Sequence, residues 1–135
     1  MSASLASINP PELGAPRGFA HGLLVPGGGR LLFVAGQTAT DSAGHITSDD
    51  FTQQFDRALG RVITVVRAAG GEPGHVARMT VYVTSMSKYK DCRSALRDVW
   101  RIHMGSHYPA MALVEVTALV DERAMVEIAA DAVLP

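Results

Sequence analysis

Two glutamates interrupt runs of residues that otherwise favour β-strands. Glu115 lies in the apolar run 108–116, and Glu127 lies in the run 126–130. Glutamate is rarely buried without a partner, so each carboxylate requires an exposed sheet face, a subunit interface or a functional site. The exposed face is the commonest of these three explanations. The functional site is the most specific, because a carboxylate there could perform acid–base chemistry.

Three arginines recur at every fourth position of a predicted helix. Like charges at this spacing repel each other, so Arg93, Arg97 and Arg101 hint at an anion or an acidic partner. A solvated polar face is the simpler interpretation, because Asp98 can offset two of these charges. We therefore expect the Arg93 side chain to lie in solvent.

The histidines and the cysteine do not form a metal-binding pattern. The five histidines show no pair at the spacing of a helical or finger-type metal site, and we expect neither a metal nor a cofactor. Cys92 is the only cysteine, and it lies on the apolar face of a predicted helix, where packing is its expected role. One cysteine forms no internal disulfide, which suits a reducing compartment.

Alternation and helical periodicity predict the elements that position these side chains. The expected strands cover residues 19–25, 31–35, 76–84, 108–116 and 126–130, and the expected helices cover 51–69 and 87–104. The segment 26–29 is predicted to join the first two strands as a hairpin. Residues 1–16 are predicted to be an extended lead-in.

The predicted order β-β-α-β-α-β-β indicates an α+β fold with two helices packed on one face of a sheet. The opposite face is left bare. We expect Met111, Leu113, Met125 and Glu127 on that bare face, which is a poor solvent surface and a candidate oligomer interface.

The length and composition are those of one globular domain, 1–135. A chain of 135 residues with 47% hydrophobic content can bury a core. Its net charge of −1 gives no indication of a polyanionic partner such as nucleic acid. The start lacks the basic and apolar regions of a signal peptide. No apolar stretch reaches the roughly 18 residues of a membrane span. We expect a cytoplasmic protein without membrane contact.

Three motifs, in order and spacing, resemble the Rid family, also known as the YjgF/YER057c/UK114 family. Pro-Ala at 109–110 leads to Val-Glu-Val at 114–116 and Val-Glu-Ile at 126–128. Upstream, the segment 34–38 resembles the family's S-G-Q segment, and 16–21 resembles its N-terminal G-x-Y-S-x-A element. The resemblance covers nearly the whole chain. It implies a chorismate-mutase-like fold and a homotrimer with three inter-subunit clefts.

The resemblance also assigns candidate site residues. Glu127 matches the acidic residue that positions the hydrolytic water and is the candidate catalytic residue; a carboxylate paired with a neighbouring subunit's arginine is the competing interpretation. The candidate ligand-binding residues are Phe19, His21, Ala35, Gly36, Gln37, Arg93, Pro109, Ala110 and Met111. Phe19 and Ala20 replace a tyrosine and a serine of many members, so two hydroxyls are lost. His21 is either a surface strand residue or a cleft donor.

One departure from the family pattern bears on the substrate. Deaminase members carry an arginine directly after Pro-Ala, where its guanidinium holds the substrate carboxylate, and this chain has Met111. A thioether cannot make that contact, so the usual 2-imino-acid deamination is not expected. With Arg93 in solvent, the cleft would be neutral apart from Glu127.

These observations favour a trimeric Rid-like protein that binds a small, weakly charged metabolite in its inter-subunit clefts. If it is an enzyme, Glu127 and a bound water would hydrolyse an imine or enamine. A non-catalytic ligand-sensing or protein-binding trimer is the alternative. Ribonuclease activity, attributed to some relatives, is poorly supported, because a chain of net charge −1 attracts nucleic acid weakly.

Overall fold

The computed structural model describes residues 5–135, and residues 1–4 of the predicted lead-in lie outside this range. The strands are β1 (Ala6–Ile8), β2 (Gly22–Leu24), β3 (Arg30–Gln37), β4 (Val76–Val83), β5 (Ala110–Glu115) and β6 (Val126–Leu134). The helices are α1 (Phe51–Ala68), α2 (Met86–Asp91) and α3 (Arg93–Met104), and short 3₁₀ turns cover Pro11–Leu13 and Pro73–His75.

The main sheet has the strand order β3-β6-β4-β5. Strands β4 and β5 are parallel, whereas β6 runs antiparallel to both of its neighbours. Helices α1 and α3 cover one face of this mixed sheet, and the core lies between the two layers. The predicted α+β architecture is therefore confirmed.

Helix α1 contributes much of the core through one apolar stripe. Its buried side chains recur at intervals of three and four residues, which is the spacing of one helix face. The helix begins after Asp50, whose carboxylate accepts a hydrogen bond from the Gln53 N–H at 2.9 Å. Among residues 5–135 no helix is both long and apolar enough to cross a membrane.

The second predicted helix is divided into α2 and α3 at Cys92. Its first turn is capped by Ser85, whose hydroxyl accepts a hydrogen bond from the Lys88 N–H at 3.3 Å. Helix α3 ends at Gly105, which has a φ of 62°. Glycine adopts this left-handed conformation at little cost.

The predicted hairpin at residues 26–29 is absent. Strand β2 pairs with β1, whereas β3 pairs with β6. Just before β2, the Ala20 N–H donates a hydrogen bond to the Pro109 carbonyl at 3.0 Å. Pro109 directly precedes β5, which is the edge strand of the main sheet opposite β3. The chain therefore crosses from the β5 edge to the β3 edge between Ala20 and Arg30, a long-range pairing that local turn chemistry does not reveal.

The two faces of the sheet also differ from the expectation. Met111 and Leu113 pair in register with the buried Met79 and Val81, so they point toward the helices. Glu127 is opposite Tyr82, the next position along β4, and lies on the other face. Placing Met111 and Leu113 on the bare face was wrong, because pairing with buried β4 residues fixes their direction.

Candidate functional site

A cavity of about 530 Å³ opens between β5, the helices and the segment preceding β2. This volume is within the range of small-molecule sites. Its lining residues are Arg17, Gly18, Phe55, Tyr89, Arg93, Leu96, Arg97, Trp100, Tyr108, Met111 and Leu113.

The wall of the cavity beside α3 is aromatic. The rings of Trp100 and Tyr108 are stacked, with centroids 5.7 Å apart and planes 7° from parallel. The Trp100 indole N–H also donates to the His107 carbonyl at 3.1 Å. Because this bond joins α3 to the loop before β5, it fixes the aromatic pair relative to the strand that carries Met111.

The mouth of the cavity carries positive charge. Arg93 and Arg97 come from successive turns of α3, and Arg17 reaches the same opening because Ala20 is bonded to Pro109. The Arg93 guanidinium carbon lies 5.9 Å from the centroid of the Tyr89 ring, in a cation–π arrangement. Arg93 is exposed, and it also lines the cavity of its own chain.

Glu127 occupies the other face of the sheet, against a bulge in β3. The register shifts between Val34 and Gln37, which leaves Ala35 and Gly36 outside the regular ladder. A Cβ atom at Gly36 would lie 2.5 Å from Oε2 of Glu127, so the carboxylate packs directly against the glycine backbone. Among the described residues the Glu127 carboxylate forms no salt bridge, which leaves its oxygens available to water or ligand.

The structure divides the predicted site residues into two groups. Ala35 and Gly36 adjoin Glu127, whereas Arg93 and Met111 line the cavity on the helix side. Pro109 is fully buried at the start of β5, where its carbonyl binds the Ala20 N–H, and Ala110 bridges Ala20.

Three other predicted residues lie outside both groups. The Gln37 side chain turns to α1, where its oxygen accepts from Nε of Arg61 at 3.0 Å. His21 contacts the Gly14 carbonyl through Nε2 at 3.0 Å and meets the Phe19 ring edge-on. The two contacts of His21 stabilise the N-terminal segment, whereas the Gln37 bond joins β3 to α1.

Sequence reasoning missed most of the cavity wall. Leu96 and Trp100 belong to the buried core and also line the cavity, and Arg97, which was assigned to a solvated helix face, lines it as well. The repeat of Arg93 and Arg97 was the available signal. No sequence signal placed Arg17 at the cavity, because its position there depends on the pairing of Ala20 with Ala110 of β5.

Comparison with known proteins identifies the family. The family described as endoribonuclease L-PSP matches residues 15–134. A RutC family protein of Pyrococcus horikoshii is 30% identical over 67% of this chain and 70% of its own length. A 2-iminobutanoate/2-iminopropanoate deaminase of Salmonella typhimurium is 26% identical over 88% of each chain.

Solved structures agree with this assignment. The conserved Rid family protein YyfB of Yersinia pestis superposes with a TM-score of 0.86 at 29% identity, covering 97% of this chain and 99% of that one. TdcF of E. coli, solved with bound serine, gives a TM-score of 0.68 at 28% identity, covering 89% and 91%. The chain therefore belongs to the endoribonuclease L-PSP family, which is the Rid or YjgF family.

Proposed function

We propose that this chain is a homotrimeric small-molecule hydrolase whose site is completed across a subunit interface. One subunit supplies the cavity beside Met111, and its neighbour supplies Glu127. The substrate class is an imine or enamine, and the protein acts in the cytoplasm, where a single cysteine remains reduced.

The proposal rests on the opposite directions of Met111 and Glu127. Within one chain they project from different faces of the same sheet, so one small ligand cannot contact both. A second chain that packs the open side of its cavity against the bare face would receive Glu127 of the first chain at the mouth of that cavity. The bare face suits such a partner, because Leu31 and Phe33 are 66% and 73% exposed on it.

The proposed reaction requires one water and one carboxylate. Glu127 takes a proton from the water while the oxygen of that water attacks the carbon of the C=N bond. Glu127 then passes the proton to the nitrogen. The hydroxyl proton of the resulting carbinolamine then passes to its amino group, the C–N bond breaks to release ammonia, and the C–O bond becomes a carbonyl. The bulge at Gly36 supports this role, because it leaves main-chain groups beside the carboxylate where the ladder is interrupted.

The test compares the two strand glutamates. Ammonia release is followed with a panel of imines and enamines, with and without a carboxylate, generated in situ. Glu127→Gln should lower kcat by about 10²- to 10⁴-fold, as loss of a general base does. Gly36→Ala should lower it by roughly 100-fold, because the new methyl displaces the carboxylate from its position.

Glu115→Gln is the matched control. Glu115 is exposed, and its Oε1 accepts from the Met86 N–H at 2.9 Å, a bond that glutamine retains. Its ammonia release should equal that of the wild type. A wild-type protein that accelerates no member of the panel would instead favour the non-catalytic, ligand-sensing alternative.

A further inference from the structure

Three exposed arginines line the cavity without a carboxylate beside them in its lining. Arg17, Arg93 and Arg97 line the cavity, and no acidic residue does. Within the part of the chain that the structure describes, none of these three forms a salt bridge. Asp98, which was expected to offset the helical arginines, pairs with Arg101 at 3.6 Å.

A solvated helix face explains this arrangement poorly. Arg17 belongs to a different segment from α3, and the bond between Ala20 and Pro109 brings that segment to the opening. Arg93 and Arg97 are one turn apart, so their charges repel each other until an anion binds between them. Arg93 is also restrained by its contact with the Tyr89 ring.

The rest of the cavity lining is largely apolar and aromatic. Leu96, Met111 and Leu113 lie beside the stacked rings of Trp100 and Tyr108. A ligand that fills this space needs a ring-sized apolar body, and a planar one packs best against an aromatic pair.

We propose that the cavity binds a carboxylate that carries an aromatic ring and lacks an ammonium group. Arg93 and Arg97 hold the carboxylate, Arg17 adds to the positive potential, and the ring lies against the stacked aromatic pair on its exposed side, at Tyr108. This inference rests on the proposed small-molecule function and places the anion at the cavity mouth instead of at position 111. An α-ammonium group is rejected because it would stand beside three positive charges.

Isothermal titration with four probes tests the ligand class. 3-Phenylpropanoate should bind at least tenfold more tightly than 3-phenylpropanamide, which lacks the charge, and than propanoate, which lacks the ring. It should also bind at least tenfold more tightly than phenylalanine, which adds only the ammonium group. Equal affinity for the acid and its amide overturns the proposal.

Helix α3 provides a matched control for the anchor. Arg93→Gln with Arg97→Gln should weaken 3-phenylpropanoate binding at least tenfold, whereas Arg101→Gln, outside the cavity, should change it less than twofold. Equal losses in both variants would show a nonspecific charge effect and overturn the assignment.

The same preparations separate this inference from the proposed function. A trimer that releases ammonia normally but does not distinguish the acid from its amide overturns the anion site alone. A monomer that binds 3-phenylpropanoate through Arg93 and Arg97 overturns the shared cleft and retains the anion site.

Discussion

At the scale of single residues, we propose that Met111 limits which ligand the cavity can hold. It lies where deaminases of the family present a guanidinium, and here it contributes an apolar wall beside Leu113. Positive charge is instead found at the cavity mouth, on Arg93 and Arg97. A small 2-imino acid therefore meets a thioether at the position where its carboxylate would otherwise be bound.

We expect weak hydrolysis of 2-aminoacrylate. Loss of a guanidinium anchor removes two charge-assisted hydrogen bonds and costs about 3–4 kcal/mol in total, so kcat/KM should be lower by roughly 10²- to 10³-fold than for an arginine-bearing deaminase. Met111→Arg should recover part of this difference, and Met111→Leu should not. Coupled ammonia assays under identical conditions measure all of these values, and equal rates for the wild type and the deaminase would refute the prediction.

At the scale of elements, Gln54 connects α1 to the strand that carries Glu127. This side chain is 0% exposed. Its amide nitrogen donates to the carbonyls of Ser48 and Arg123 at 2.7 and 3.0 Å, and its oxygen accepts from the Met125 N–H at 2.8 Å. Met125 directly precedes β6, so these bonds fix where the strand begins.

We predict that Gln54→Leu lowers the free energy of unfolding by about 2–4 kcal/mol, because buried backbone groups lose their partners. Gln53→Leu is the control, since this neighbour is exposed and should cost less than about 1 kcal/mol. Urea unfolding followed by circular dichroism gives both values. A loss for Gln54→Leu no larger than for Gln53→Leu would contradict the role assigned to these bonds.

Local patterns predicted the elements well and their mutual placement less well. The stripe of α1 and the alternation of β4 are visible in sequence because burial imposes their periodicity. The face of the sheet to which Met111 points was not visible in the sequence. The alternation of β5 fits either face of the sheet equally well, and only its register with β4 selects one. Gly36 was named from the sequence as a ligand-binding candidate, but its bulge and its contact with Glu127 depend on the pairing of β3 with β6, which the sequence did not reveal.

At the scale of the whole molecule, the sheet separates the two halves of the proposed site. The helix-side cavity and the Glu127 face can cooperate only if chains associate. Phe33 and Leu31 leave a strongly apolar area on the bare face of an isolated chain. Burial of this area between chains would stabilise the assembly that the site needs.

Phe33→Asp should dissociate the assembly, because it would place an unpaired charge in an apolar interface. Such a burial costs about 3–5 kcal/mol, which raises a dissociation constant by at least roughly 100-fold. Ile102→Asp is the control, since Ile102 is 78% exposed on α3, in the other layer. Sedimentation velocity should show smaller species for Phe33→Asp alone, with unchanged circular dichroism; intact oligomers of Phe33→Asp would exclude this face as the interface.

The shared site is tested most directly by the mass of the wild-type protein in solution. Multi-angle light scattering at micromolar concentration should give the mass of three chains of 14.3 kDa each. That result supports a cleft built from the Met111 cavity of one subunit and Glu127 of the next. A single-chain mass at this concentration would contradict the shared cleft, since one chain directs these two residues to opposite faces of its sheet.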